Sequence, residues 1–123
     1  MAKILIVDDD KQITFFLEKL LSFEGYAAIA LNEGSKTLDV ARTFKPDLFI
    51  LDLMMPEPNG FELCRMLRAD PDFANTPIVI ITAMDDADSK AIAFVAGATD
   101  FITKPFRPDE LATRMKALIS SSD

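Results

Sequence analysis

The sequence predicts a single α/β domain in which five parallel strands alternate with five helices. Two observations lead to this fold class. Five short apolar runs are bounded by charged or turn-forming residues, and the segments between them have the length and apolar spacing of helices. Strict alternation with fully apolar strands is typical of a doubly wound parallel sheet, which helices cover on both faces and right-handed crossovers connect.

The strands are predicted directly from the apolar runs, which are long enough for a strand and too short for a helix. The five runs lie at residues 3–7, 26–31, 47–51, 77–81 and 100–103.

The helices are predicted from apolar side chains that recur every three or four residues. The first helix shows this spacing at Ile13, Phe16, Leu17, Leu20 and Leu21. The last helix shows it at Leu111, Met115, Leu118 and Ile119. The other three helices are expected near residues 34–44, 60–69 and 85–96.

Glycine and proline mark several helix ends. Gly25 lies where the first helix should end, and Gly97 should close the fourth. Pro108, followed by two acidic residues, suits the first turn of the last helix. Only the tail at residues 120–123 has the composition of a frayed end or of a linker, and the sequence leaves both readings open.

In the fourth helix, the apolar pattern predicts which face is buried. Ile92, Val95 and Ala96 form the stripe expected to pack against the sheet. At about 100° per residue, Phe94 then lies nearly opposite this stripe and should be exposed, beside Lys90.

The composition excludes some classes of function. Twenty acidic and thirteen basic residues give a net charge of −7, which argues against binding to a phosphate backbone and favours a cation as the guest. The single cysteine, Cys64, cannot form an internal disulfide, and no apolar stretch approaches the ~20 residues that a bilayer requires. We therefore expect a soluble, cytoplasmic protein without direct contact to nucleic acid or membrane.

Polar residues follow four of the five strands. The first strand precedes Asp8, Asp9 and Asp10, and the third precedes Asp52. The fourth strand precedes Thr82, and the fifth precedes Lys104. Since ligands of open α/β sheets bind beyond the carboxyl ends of the strands, these side chains should meet at one edge.

The three consecutive aspartates need more than one explanation. Capping of the first helix accounts for one of them, most naturally Asp10. Asp8 and Asp9 near Asp52 would form a cluster of hard oxygen ligands that suits Mg²⁺. Bound Mg²⁺ would also offset the mutual repulsion of these carboxylates.

Lys104 has two explanations. It could serve as a structural counter-charge for the carboxylates. Together with the Thr82 hydroxyl and a divalent ion, its ammonium group could instead surround the oxygens of a tetrahedral phosphoryl group. Asp52 could accept that group as a nucleophile, forming an aspartyl-phosphate.

Four segments in this order resemble the response-regulator receiver domain of two-component signalling. They are "IVDDD", "LDLMMPEPNG", "ITA" and "FITKPF", and the resemblance covers about residues 3–120. It implies a flavodoxin-like sheet with strand order 2-1-3-4-5, which sets the first and third strands side by side. It also implies one receiver domain over residues 1–123, with no output domain present.

The resemblance assigns roles at the predicted metal site. Asp52 resembles the phosphorylated aspartate, and Asp9 resembles the direct ligand of Mg²⁺. Asp8 would assist through water, and the backbone carbonyl of Met54 would be a further ligand.

The resemblance also assigns a switch. Thr82 resembles the hydroxyl that moves onto the phosphoryl group, Lys104 resembles the ion-pair partner of that group, and a cis peptide is implied before Pro105. Phe101 occupies the aromatic switch position, which is often tyrosine, so this chain could signal there by burial but not by a new hydrogen bond. Asn59 similarly stands where many members have aspartate.

These roles imply a phosphorylation switch rather than an enzyme with an external substrate. A sensor histidine kinase or a histidine phosphotransfer domain would donate the phosphoryl group. The surface formed by the fourth helix, the fifth strand and the fifth helix, which includes Lys90, Phe94 and Phe101, would then act on an unidentified output partner or form a phosphorylation-dependent homodimer.

The main alternative is a phosphatase of the haloacid-dehalogenase type. That family requires a second aspartate two residues after the nucleophile, where this chain has Met54. A small flavin carrier would need a phosphate loop after the first strand, where "DDDKQ" would repel the cofactor phosphate.

Overall fold

The computed structural model describes residues 1–121 and contains the ten predicted elements. The strands are β1 (Lys3–Val7), β2 (Ala27–Leu31), β3 (Leu48–Leu51), β4 (Ile78–Thr82) and β5 (Asp100–Thr103). The helices are α1 (Lys11–Phe23), α2 (Thr37–Phe44), α3 (Gly60–Ala69), α4 (Ala87–Ala96) and α5 (Pro108–Ser121). A short 3₁₀ turn, Gly34–Lys36, leads into α2.

The sheet is entirely parallel, in the order β2-β1-β3-β4-β5, which confirms the fold class. Val7 pairs with Leu51 in the β1–β3 register, so the residues that follow these two strands start side by side. The sheet therefore aligns the carboxyl ends of β1 and β3.

The core has two layers, one on each face of the sheet. Alternate strand residues such as Leu5 and Phe49 pack with α2, α3 and α4, while Ile4 and Ile50 pack with α1 and α5. This alternation follows from the twofold period of a strand. It explains why the strands read as continuous apolar runs.

Capping residues mark the ends of α1 and α4. The Asp10 carboxylate accepts hydrogen bonds from the N–H groups of Gln12 and Ile13, so the predicted cap is confirmed. Gly97 caps α4 with a φ of 119°, as expected. Helix α1 ends at Phe23, two residues before Gly25, whose φ is 93°.

Other boundaries shift by one or two residues. Thr82 is the last residue of β4 rather than the first after it. The predicted tail is partly helical because α5 continues through Ser121, and residues 122 and 123 lie outside the described residues. No helix within residues 1–121 is long and apolar enough to cross a membrane.

The predicted buried stripe of α4 is wrong at two of its three positions. Ile92 and Val95 are exposed, whereas Ser89 and Ala93 are buried together with Ala96. The physical reason is that residues 91–96 of α4 are all apolar, and the structure packs the small residues of the helix inward, where a helix can approach its neighbours closely. Phe94 is nevertheless 48% exposed, as predicted.

Candidate functional site

Two buried aspartates meet at the ends of the central strands. Asp8 and Asp52 are only 3% and 5% exposed. The Asp52 N–H donates to the Val7 carbonyl at 3.1 Å, which continues the β1–β3 ladder by one residue. The parallel register therefore places two carboxylates next to each other at one edge of the sheet.

Lys104 joins these carboxylates. Its ammonium group donates to Asp8 Oδ2 at 2.8 Å and to Asp52 Oδ2 at 2.7 Å. The Lys104 N–H also donates to the Thr82 carbonyl at 2.7 Å, and the Lys104–Pro105 peptide is cis, as the resemblance implied. Because β5 is two strands away from β3, a long flexible side chain is required to reach both acids.

Burial and ion pairing compete within this cluster. Burial raises the pKa of Asp8, and the hydrogen bonds that this carboxylate accepts only partly oppose the effect. Burial lowers the pKa of Lys104, but its hydrogen bonds to Asp52 and Asp8, together with the negative charges of these carboxylates, hold that pKa above the usual value. The ammonium group thus stays protonated between the two acids.

Backbone donors hold the other carboxylate oxygens. Asp8 Oδ1 accepts from the Asp10 N–H at 2.9 Å, and Asp52 Oδ1 accepts from the Met54 N–H at 3.0 Å. These bonds fix both carboxylates before any ligand binds.

The loop after Asp52 is held tightly against the strand end. Asn59 and Glu62 form a capping box at the start of α3. A Cβ atom on Gly60 would collide with the Asp52 carbonyl oxygen, so only glycine allows this close approach. The Glu57–Pro58 peptide in this loop is also cis, which was not predicted.

Asn32 supports the site and was not predicted from the sequence. Its side-chain amide donates to the Asp8 carbonyl at 2.9 Å and to the Thr14 hydroxyl at 3.0 Å. A signal was available, because Asn32 directly follows β2 at the same edge of the sheet as the predicted residues.

The switch residues lie on the two neighbouring strands. Thr82 is fully buried at the end of β4, and its hydroxyl accepts a long hydrogen bond of 3.4 Å from the Met84 N–H. Phe101 in β5 is buried, and the Lys90 ammonium lies 5.8 Å from the centre of its ring.

Two of the three predicted acidic ligands, Asp8 and Asp52, lie together in the structure. Asp9, the residue after Asp8, is exposed. Within residues 1–121, no three acidic, histidine or cysteine side chains form a group that could hold a metal ion, so Asp9 does not join Asp8 and Asp52 in this arrangement. Asp8 and Asp52 still suit Mg²⁺, which needs only one or two carboxylates and keeps several waters. A direct role for Asp9 stays a prediction.

Comparisons with known proteins agree with this geometry. A family model described as the response regulator receiver domain matches residues 4–116. The DNA-binding response regulator MtrA of Mycobacterium tuberculosis is 40% identical over 121 residues, which cover 98% of this chain and 52% of that protein. This chain thus spans about half the length of the curated relatives that it matches.

Solved structures match over nearly their whole length. The chemotaxis protein CheY4 of Vibrio cholerae is 30% identical with a TM-score of 0.91, and the match covers 96% of this chain and 98% of that one. The BeF3-activated N-terminal receiver domain of RstA from Klebsiella pneumoniae is also 30% identical, with a TM-score of 0.90 and the same two coverages.

Proposed function

The chain belongs to the response-regulator receiver family, and from this premise we propose that Asp52 is its phosphoacceptor. The family membership also removes the phosphatase and flavin-carrier alternatives. The observation that carries the proposal is the position of Asp52, which is buried at the end of the central strand and held by Lys104 on one oxygen and by the Met54 N–H on the other.

Phosphotransfer to Asp52 requires Lys104 to exchange its hydrogen bond to Asp52 for one to the phosphoryl group. An Asp52 oxygen attacks the phosphorus of a phosphohistidine, and a new O–P bond forms as the N–P bond breaks and its electron pair stays on the imidazole. Both Asp52 oxygens accept hydrogen bonds before the reaction. Lys104 therefore moves its ammonium group from Asp52 to an incoming phosphoryl oxygen, while the Thr82 hydroxyl donates to another.

The proposed metal is Mg²⁺, which receiver domains generally use in phosphorylation. Asp8, Asp9 and Asp52, with the Met54 carbonyl, are the residues that would hold it. When bound, the ion supplies positive charge that offsets the charge of the phosphoryl oxygens. Asp8 meanwhile keeps one oxygen on the Asp10 N–H, which orients its carboxylate toward the site.

The proposed signal passes from Thr82 to Phe101 and then to the surface with Lys90 and Phe94. When Thr82 turns onto the phosphoryl group, the packing next to Phe101 changes, and a difference of a few kcal/mol between two states suffices to shift their populations. We propose a protein partner or a second copy of the chain as the receiver of this signal. The net charge of this chain, −7, does not favour direct contact with DNA.

The proposed donor is a sensor histidine kinase or a histidine phosphotransfer domain in the cytoplasm. A cytoplasmic setting suits a chain whose one cysteine, Cys64, is a buried free thiol. The chain catalyses only its own phosphorylation and dephosphorylation in this proposal.

The assignment of Asp52 is tested with acetyl phosphate and Mg²⁺. Intact-mass measurement should show one added phosphoryl group on the wild type and none on Asp52→Asn. Asp72→Asn removes an exposed aspartate outside the site and should be modified like the wild type. Equal modification of Asp52→Asn and the wild type would show that another residue is the acceptor.

A further inference from the structure

A groove between α3 and α4 shares no residue with the phosphoacceptor site. Its volume is about 610 Å³. It is lined chiefly by Arg65, Arg68 and Ala69 of α3 and by Ala91, Ile92 and Val95 of α4.

The α4 wall of this groove is apolar and exposed. Val95 is 89% exposed and Ile92 is 46% exposed. Both belong to the stripe that the sequence predicts to be buried. Single exposed apolar residues are common, but two large ones that line the same groove form a contiguous apolar wall. This wall is suited to burial against a partner.

The α3 wall carries a positive charge that only neutral groups contact. The Arg68 guanidinium donates to the carbonyls of Gly97, Phe73 and Thr76 at 2.9, 2.8 and 2.6 Å, and to the Thr99 hydroxyl at 3.3 Å. These bonds fix the side chain in place. Because none of these acceptors is a carboxylate, the full charge of Arg68 persists beside the groove.

Arg65 adds a second charge to the same wall. It is exposed and lies one turn before Arg68 on α3. None of the ion pairs among the described residues includes either arginine. The groove is thus a local basic region on a chain whose net charge is −7.

We propose that this groove binds an acidic amphipathic helix of a partner protein. Apolar side chains of that helix would cover Ile92 and Val95, and its carboxylates would pair with the exposed Arg65, while the fixed Arg68 adds positive charge beside them. A helix is the occupant that fits, because the groove lies between two helices of ten residues, each about 15 Å long. The proposal does not depend on phosphorylation of Asp52.

The test uses two synthetic capped peptides of about 16 residues, a length that populates a helix in water. Both carry leucines at the same helical spacing, and their charged residues are all glutamate in one and all lysine in the other. In the ¹⁵N-labelled chain, the glutamate peptide should shift amides of residues 65–69 and 91–96 to saturation, while the lysine peptide should not. The Asp52→Asn chain should respond in the same way, which separates this result from the phosphoacceptor assignment.

Matched variants locate the contact. Val95→Ser and Arg65→Glu should each weaken binding of the glutamate peptide about fivefold or more. Phe23→Ser alters a side chain that is 88% exposed on α1, and Lys116→Glu makes the same charge change on α5. Both of these controls should bind the glutamate peptide like the wild type.

Three outcomes would overturn the proposal. The first is equal binding of the two peptides, and the second is a set of amide shifts that lies outside the groove. The third is concentration-dependent self-association of the chain that Val95→Ser abolishes, which would make a second copy the occupant.

Discussion

Charged groups are usually exposed and large apolar groups usually buried in a folded protein. The carboxyl edge of the sheet and the outer side of α4 break this rule in opposite ways. The edge buries the carboxylates of Asp8 and Asp52, whereas α4 exposes Ile92 and Val95. The buried charges are compensated inside the fold, because Lys104 and two backbone N–H groups contact them. The exposed apolar side chains line a groove open to solvent, which is the groove that we propose to bind a partner helix.

The difference shows how each region depends on its surroundings. A buried ion cluster is sensitive to the loss of any one member, because the remaining charges are then left without a partner. An exposed apolar face contributes little to the stability of the free chain and can change without harm to the fold. Variants in the two regions should therefore differ strongly in their effect on stability.

The largest effect is expected for Lys104→Met. This change leaves two buried carboxylates without their shared cation, and we expect it to lower the free energy of unfolding by about 3 kcal/mol at neutral pH without metal. Urea denaturation measures this loss. Lys116→Met removes an exposed lysine from α5 and should leave the midpoint nearly unchanged. Similar losses in the two variants would mean that the cluster does not depend on its cation.

The next effect concerns Mg²⁺ at the same edge. An ion that binds only the folded chain should add about 2.7 kcal/mol at a concentration of one hundred times its Kd. Thermal melts with and without Mg²⁺ measure this gain. Asp9→Ala should abolish the response and slightly raise the melting temperature without metal, because one fewer carboxylate repels its neighbours. A response that survives in Asp9→Ala would restrict the site to Asp8 and Asp52.

The sequence predicts the edge well because its signals are local and topological. Each polar residue directly follows an apolar run, and a parallel sheet brings such positions to one edge independently of the conformation of the loops. This reasoning predicts the positions of Asp8, Asp52 and Lys104, which the structure brings together. The spacing does not predict the bridge that Lys104 forms between Asp8 and Asp52, since it does not encode the reach of a flexible side chain across two strands.

The sequence does not predict the orientation of α4, for a physical reason. Residues 91–96 of this helix are all apolar, so their periodicity does not distinguish one face from the other. The choice is made by packing, in which Ser89, Ala93 and Ala96 allow a close approach to the core. The larger Ile92 and Val95 are left outside.

This account of α4 predicts a third, smaller effect. Ala93 is 1% exposed and packs in the core, so Ala93→Leu should overfill the interface and lower the free energy of unfolding by about 2 kcal/mol. Val95→Leu makes a change in the same direction on the exposed side and should have almost no effect. Chemical denaturation of both variants measures the contrast. A larger loss for Val95→Leu would restore the stripe that the sequence predicted.

The smallest effect is expected at the start of α4 and depends on pH. The Asp86 carboxylate caps this helix, accepting from the Ser89 hydroxyl at 2.8 Å and from the Ser89 N–H at 3.0 Å. These hydrogen bonds, the hydroxyl first, lower the pKa of Asp86 in the folded chain. Because this pKa is lower in the folded chain, the ionised carboxylate stabilises the fold at pH values above the unfolded pKa, near 3.8. This stabilisation is lost as the pH falls through the folded pKa.

Asp86→Asn keeps a capping oxygen but does not titrate, so the stability of the wild type relative to Asp86→Asn should fall as the solution is acidified below about pH 5. Ser89→Ala removes the strongest cause of the shift and should make this fall smaller when the pair of denaturation series is repeated in that background. A difference between wild type and Asp86→Asn that stays constant with pH would show that the cap acts through its geometry and not through its charge.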